Sequence, residues 1–172
     1  MIRTGVIFGA IAGLTAITIM IAGLTLSKEG GFFASQWFGY LVMILALSMI
    51  YFGVKRHRDR ELGGIITFGR ALGLGLFIAA IAGIAYIAVW EIYLAATGRD
   101  FISGYAEAVM AQHEANGLAG AALEAERARM EQLIARYDNP LFRLAITFTE
   151  IFPVGVLVAT VSAALLRTTG SR

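Results

Sequence analysis

Four long runs without a charged side chain constrain this chain more than any other feature. They cover residues 5–26, 32–54, 71–90 and 144–166, and the last run is interrupted only by Glu150. A helix needs roughly 20 apolar residues to cross a bilayer, and each run is long enough to do so. Continuous apolar runs also fit helices better than the alternating pattern of membrane barrel strands. The sequence therefore predicts an all-α integral membrane bundle of four transmembrane helices.

The composition favours the same class. Of the 172 residues, 58% are hydrophobic and 15% are charged, whereas soluble domains carry about 25% charged residues. The net charge of +2 is small and the basic residues form no broad patch, so nucleic acid is not an expected partner. The chain has no cysteine, which excludes disulfides, thiolate metal ligands and cysteine nucleophiles.

We predict a single membrane domain over residues 1–172, without an internal repeat. Its helices are expected at about 5–26, 32–54, 66–95 and 141–166, with a basic loop at 55–62 and an outer segment at 97–140. Apolar residues of the outer segment recur at helical spacing, and "ANGLAG" breaks the pattern before them. This spacing predicts an amphipathic helix lying on the membrane or on the bundle. Its apolar face would hold Leu123, Met130, Leu133, Ile134 and Tyr137.

The distribution of basic residues predicts an orientation. The loop at 55–62 is the most basic, with Lys55, Arg56, Arg58 and Arg60. Arg3 and Arg167 fall on the same side if the helices alternate, whereas the other side has Lys28 and a predominantly acidic outer segment. Basic loops stay in the cytoplasm, so both termini are expected there and the outer segment is expected outside. The basic residues either set this topology or bind lipid headgroups as well.

Small residues at four-residue spacing predict close helix packing. Gly5, Gly9 and Gly13 form one such series, and Gly69 and Gly73 form another. Glycine at this spacing lets two helix backbones approach closely in lipid. The first series would pack inside the bundle, or would join two copies of the chain in a dimer.

Glu150 is the main candidate for a functional group. Pro153 follows it and should kink the helix, since proline cannot donate to the carbonyl of Thr149. Arg143 lies about 10 Å away along the helix. Glu91 lies near the outer end of the third helix, at a similar depth. Intramembrane carboxylates usually face the bundle interior, so we expect Glu150 there, near Arg143 or Glu91. Its role would be a structural hydrogen-bond network, a proton or ion relay, or a ligand-binding or catalytic carboxylate.

The residues offer no recognisable reaction chemistry. No catalytic, cofactor-binding or metal-binding residue is assigned, and His57 and His113 have no partner at ligand spacing. Three hypotheses follow. The first is a non-enzymatic structural or accessory protein that contacts another membrane protein or a second copy. The second is a small transporter or proton-coupled carrier that uses Glu150, although transporter repeats are not visible. The third is a membrane enzyme acting on a lipid or on a lipid-linked substrate.

Three stretches resemble a known family. They are "RDRELGGIITFG" at 58–69, "WEIY" at 90–93 and "TEIFPVG" at 149–155, and Glu91, Glu150 and Pro153 lie within them. The chain resembles the bacterial membrane family catalogued as domain of unknown function 4199, over about residues 2–167. The resemblance implies a four-helix integral membrane protein of bacteria, and we expect it in the inner membrane. It implies no activity, substrate or catalytic residue.

Overall fold

The computed structural model describes residues 1–26 and 36–168, and every regular element in these two ranges is a helix. Four stretches are long and apolar enough to cross a membrane: Ile2–Thr25, Trp37–Glu61, Phe68–Thr97 and Pro140–Leu166. The predicted all-α class with four membrane-spanning helices is therefore confirmed. Lys28 and the predicted start of the second span, residues 32–35, lie outside the described residues. The helices are α1 (Ile2–Leu26), α2 (Gln36–Leu47), α3 (Met49–Glu61), α4 (Phe68–Thr97), α5 (Arg99–Ala115), α6 (Ala121–Tyr137) and α7 (Pro140–Leu166).

The second span consists of α2 and α3, which meet at Ser48. The backbone of Ser48 keeps helical angles, and its N–H donates to the Ile44 carbonyl at 3.0 Å. Its hydroxyl donates to the Leu45 carbonyl at 2.6 Å. Such a bond from a serine to the preceding turn tends to bend a helix. Ser48 is therefore a local irregularity within one span.

The basic residues lie on a helix, so the loop predicted at 55–62 is wrong. α3 continues through Glu61 because lysine, arginine and glutamate are good helix formers. It ends where Gly63 has a φ of 63° and the Gly64 N–H donates to the Arg58 carbonyl at 2.8 Å. A glycine at positive φ commonly closes a helix in this way. We call this end of the bundle the basic end, and the opposite end, where α4 leads into α5, the hairpin end.

α4 is the central helix of the bundle. It packs against α1 on one side and against α7 on the other, and α2 and α3 contact both α1 and α7. The buried core includes Ile17 of α1, Leu47 of α2, Ile50 of α3, Ile78 of α4 and Ile151 of α7. All four spans therefore contribute to one core.

The first glycine series packs inside the bundle. A Cβ atom on Gly9 would lie 2.7 Å from the Ile78 carbonyl oxygen, and one on Gly13 would clash with the Ala82 carbonyl. A Cβ atom on Gly5 would overlap the ring of Phe77. Of the two interpretations of Gly5, Gly9 and Gly13, the structure therefore places them in intramolecular packing of α1 on α4.

A second small-residue contact joins α4 to α7. A Cβ atom on Gly75 would lie 2.9 Å from Ala159, and one on Gly155 would lie 2.7 Å from Ala79. Gly69 and Gly73 have open space around them, so their predicted role in packing within the bundle is wrong. The reason is helical phase, because Gly73 precedes Gly75 by two residues and therefore points about 200° away.

The outer segment folds as a helical hairpin of α5 and α6. The predicted break falls between the two helices, where Gly117 and Gly120 have positive φ. α5 buries Ala106 and Met110, whereas α6 has no buried residue. Four of the five residues predicted on one apolar face of α6 are half-buried: Leu123, Met130, Ile134 and Tyr137. Leu133 is 42% exposed, so its place on that face is wrong.

Candidate functional site

A polar cluster at the hairpin end joins three helices. Arg143 of α7 donates from Nε to Oε1 of Glu91 at 2.7 Å and from Nη2 to Oε2 at 2.5 Å. Its Nη1 also donates to the Tyr137 carbonyl of α6 at 3.2 Å. Trp90, next to Glu91 on α4, donates from its indole N–H to the Tyr137 hydroxyl at 2.8 Å. We call Trp90, Glu91, Tyr137 and Arg143 the clamp.

The geometry of the clamp favours a positioning role. The Arg143 and Glu91 side chains are 20% and 28% exposed, and a paired guanidinium–carboxylate contact fixes both groups in one plane. The Arg143 guanidinium also lies 5.9 Å from the centre of the Tyr137 ring. These contacts hold the end of α6 against the start of α7 and the end of α4. The clamp therefore fixes the base of the hairpin on the bundle.

Glu150 does not join the clamp, and its predicted interior position is wrong. Thr147, Ile151, Gly155 and Ala159 form the buried stripe of α7. Glu150 precedes Ile151 by one residue, so it points about 100° away from that stripe and is exposed. The expected cation is not available either, since Arg143 is engaged by Glu91.

The surroundings of Glu150 are apolar on the outside of the bundle. Leu157 and Val161 lie on the same side of α7 and are 61% and 50% exposed. Glu150 makes no hydrogen bond or ion pair within residues 1–26 and 36–168. Tyr86, a buried residue of α4, is close enough to interact with the carboxyl electrostatically. Glu150 is thus an exposed carboxyl of α7 within electrostatic range of the buried Tyr86.

Pro153 lies on this outer face as well, and α7 is continuous through it. Because proline has no N–H, the Thr149 carbonyl loses its usual helical donor. We call Thr149, Glu150, Pro153, Leu157 and Val161 the α7 outer face. It presents the Glu150 carboxyl, the Thr149 carbonyl and the Thr149 hydroxyl within a surface that is otherwise apolar.

At the basic end, the four basic residues predicted from the sequence have different surroundings. Arg58 turns inward, where its Nε contacts Asp59 Oδ1 at 2.6 Å and its Nη1 donates to the Leu166 carbonyl at 3.3 Å. Lys55, Arg56 and Arg60 remain exposed. Arg58 therefore links α3 to the end of α7, while the other three face outward.

His57 has a carboxylate neighbour that the sequence reasoning overlooked. Its Nδ1 lies 2.9 Å from Glu61 Oε2, one helical turn away, although the angle does not make a hydrogen bond. The Thr4 hydroxyl donates to Glu61 Oε1 at 2.8 Å. These contacts join α1 to α3. Among the described residues, no group of three or more His, Asp or Glu side chains could hold a metal ion.

The chain matches the family model described as "Protein of unknown function (DUF4199)" over residues 3–168. The chain belongs to the DUF4199 family. No curated protein and no solved structure matches it. The resemblance carried by the three stretches is thereby confirmed, and the description of the DUF4199 family supplies no activity or site residue.

Within this DUF4199 protein, each of the three stretches contributes to a polar contact or an exposed polar group. The first contains Arg58 and Glu61, the second contains the Trp90 and Glu91 members of the clamp, and the third contains Glu150. Neither Tyr137 nor Tyr86 is predicted from the sequence as a polar partner. The sequence predicts Tyr137 on an apolar face, although a half-buried tyrosine or tryptophan usually hydrogen-bonds at its polar tip.

Proposed function

We propose that this protein is a non-enzymatic accessory subunit of the bacterial inner membrane that docks on another membrane protein through the α7 outer face. One observation carries the proposal, namely the exposed position of Glu150 amid apolar side chains. Placing an acidic side chain at the centre of a membrane helix costs about 2.5–3.5 kcal/mol on insertion scales. A hydrogen-bond donor on a neighbouring helix would offset that cost.

The chemistry of the face favours a partner of different sequence over a second copy. The described residues of the first three apolar runs carry no lysine or arginine. The nearest basic residue on α7, Arg143, is engaged by Glu91. A second copy would therefore bring no free cation to the depth of Glu150. We infer a partner helix that carries a basic side chain at this depth, facing Glu150 and the Thr149 carbonyl.

The proposed orientation follows from the basic end. Lys55, Arg56, Arg58, Arg60 and Arg70 lie there, so the positive-inside rule supports cytoplasmic termini and an extracytoplasmic hairpin. α6 has no buried residue, and the clamp holds its end in place. The hairpin would then offer the partner a second contact outside the membrane.

Photo-crosslinking in intact cells tests the docking proposal. A benzophenone amino acid at Leu157 is expected to give a discrete adduct with another membrane protein. The same group at Ile11, an exposed residue of α1, provides the matched control and should give none. Glu150→Leu should abolish the Leu157 adduct at unchanged protein abundance. Adducts from Leu157 with lipid alone, or with a second copy alone, would contradict the proposal.

A carrier function is the second candidate, and the proximity of Tyr86 to Glu150 favours it. A titrating carboxyl on the outer face beside a buried phenol could pass a proton toward the bundle interior. Glu150→Gln separates the two functions, because an amide still accepts a hydrogen bond but cannot release a proton. Docking predicts that this variant keeps the Leu157 adduct and the cellular phenotype. A carrier predicts a folded, abundant and inactive variant.

A further inference from the structure

A groove at the basic end lies between α1 and α3, apart from the clamp and from the α7 outer face. Its volume is about 260 Å³, and it is lined by Phe8, Phe52, Lys55, Arg56, Asp59 and Arg60. Two aromatic rings and three cations thus line one open groove. One ligand in this groove could contact both the apolar rings and the cationic side chains.

The aromatic part depends on a close approach of α1 to α3. A Cβ atom on Gly53 would lie 3.0 Å from the ring of Phe8. The absence of a side chain at Gly53 therefore allows Phe8 to pack this closely on α3. Phe52 lies beside this contact and is 50% exposed. Phe52, Arg56 and Arg60 follow one another at four-residue spacing, which places them in a row along one side of α3.

The cationic part keeps an excess of positive charge. Arg56 and Arg60 are exposed and make no hydrogen bond or ion pair with any described residue. Asp59 also lines the groove, but its Oδ1 is engaged by Arg58 Nε at 2.6 Å, and Lys55 interacts with it electrostatically. The one acidic group in the groove is thus already balanced, and the guanidinium groups of Arg56 and Arg60 are left for a ligand.

We propose that this groove binds the phosphate group of an anionic phospholipid, with the acyl chain lying over Phe8 and Phe52. Guanidinium groups bind phosphate through paired hydrogen bonds, and cations beside a membrane helix attract anionic headgroups. Phe52 lies one helical turn from Arg56 toward the apolar run, so the ring adjoins the hydrocarbon where the guanidinium adjoins the headgroup. Free phosphate would use the arginines but would leave the aromatic rings without a role.

Native mass spectrometry of the purified full chain in detergent tests this site, with phosphatidylglycerol and zwitterionic phosphatidylcholine as the added lipids. The wild-type protein should retain one phosphatidylglycerol in preference to phosphatidylcholine. Each cation near a membrane surface contributes about a fivefold factor, so the double variant Arg56→Gln/Arg60→Gln should lose about 25-fold in affinity. Arg70→Gln, at the same end but outside the groove, should retain the lipid. Equal loss in both variants would overturn the proposal in favour of nonspecific charge attraction.

A second set of measurements distinguishes lipid binding from free-phosphate binding and checks that the variant remains folded. Phe52→Ala removes an exposed ring and should weaken phosphatidylglycerol retention while leaving the melting temperature unchanged. Millimolar inorganic phosphate should not displace the lipid. Displacement by phosphate together with full retention by Phe52→Ala would assign the groove to a free anion and overturn the lipid site.

Discussion

Arg143 and Glu91 form a two-pronged ion pair, with nitrogen–oxygen distances of 2.7 and 2.5 Å, that fastens the start of α7 to the end of α4. Because Arg143 also donates to the Tyr137 carbonyl, one side chain connects the bundle to the hairpin. The pair is only partly exposed, so its loss should exceed the small effect of a surface salt bridge.

Arg143→Ala should release the hairpin and lower the free energy of unfolding by about 2 kcal/mol, since hydrogen bonds to charged groups contribute about 1.5–3 kcal/mol. Limited proteolysis within residues 116–120 and denaturation in detergent measure the two effects. Arg136→Ala is the control, because Arg136 is an exposed residue of α6 outside the clamp. Equal sensitivity of the two variants would show that the clamp does not hold the hairpin.

Gly13→Ala should destabilise the bundle by about 1–3 kcal/mol, because the added methyl group meets the Ala82 backbone and forces α1 away from α4. Gly73→Ala has open space and should be neutral or stabilising by up to about 1 kcal/mol, through helix propensity. Thermal denaturation of the two variants in the same detergent provides the comparison. A milder effect at Gly13 than at Gly73 would contradict the packing of α1 on α4.

Ile134→Asp should loosen the hairpin, since Ile134 is half-buried on α6, whereas Leu133→Asp should have little effect at a side chain that is 42% exposed. The rate of protease cleavage within residues 116–120 reports the loosening. Faster cleavage of the Leu133 variant than of the Ile134 variant would support the apolar face expected from the sequence.

Glu150→Leu should leave the isolated protein as stable as the wild type or more stable, by up to about 3 kcal/mol on insertion scales, because an exposed carboxyl is removed from an apolar surface. Glu91→Leu should have the opposite effect, since it leaves the Arg143 guanidinium unpaired. Unfolding in detergent compares them. A large loss of stability in Glu150→Leu would indicate that the carboxyl has a partner inside the bundle.

The orientation can be tested directly because the chain has no cysteine. Gln112→Cys on α5 should react with a membrane-impermeant thiol reagent added to intact cells, and Ile65→Cys at the basic end should react only after the membrane is opened. Both positions are exposed in the structure. The reverse pattern would place the hairpin in the cytoplasm.

The four spans could be predicted because lipid leaves few alternatives for an apolar run of this length. The buried side of α7 was harder to predict, because the one charged side chain in its run, Glu150, is expected from the sequence to face the bundle interior. The informative signal was the four-residue spacing of Gly155 and Ala159, which identifies the stripe that packs on Ala79 and Gly75. That phase would have placed Glu150 outside the buried stripe.

The partners of the polar groups were harder to predict than their positions. From the sequence, Arg143 is expected within reach of Glu150, because the two lie two turns apart on the same helix. In the folded chain Glu91 approaches from α4, and only tertiary packing decides between the two carboxylates. The charge of the basic residues predicts a loop, although Gly63 and Gly64 mark the end of α3 more reliably than charge does.

The contacts of α4 with α1 and α7 also bear on permeation. At Gly9, Gly13, Gly75 and Gly155, a neighbouring helix lies so close that a single added carbon atom would overlap it. The α1–α4 and α4–α7 interfaces have no room for a solvated ion at these positions. A solute that crossed the membrane between these helices would have to separate them. Conduction along either interface would therefore require a rearrangement of whole helices.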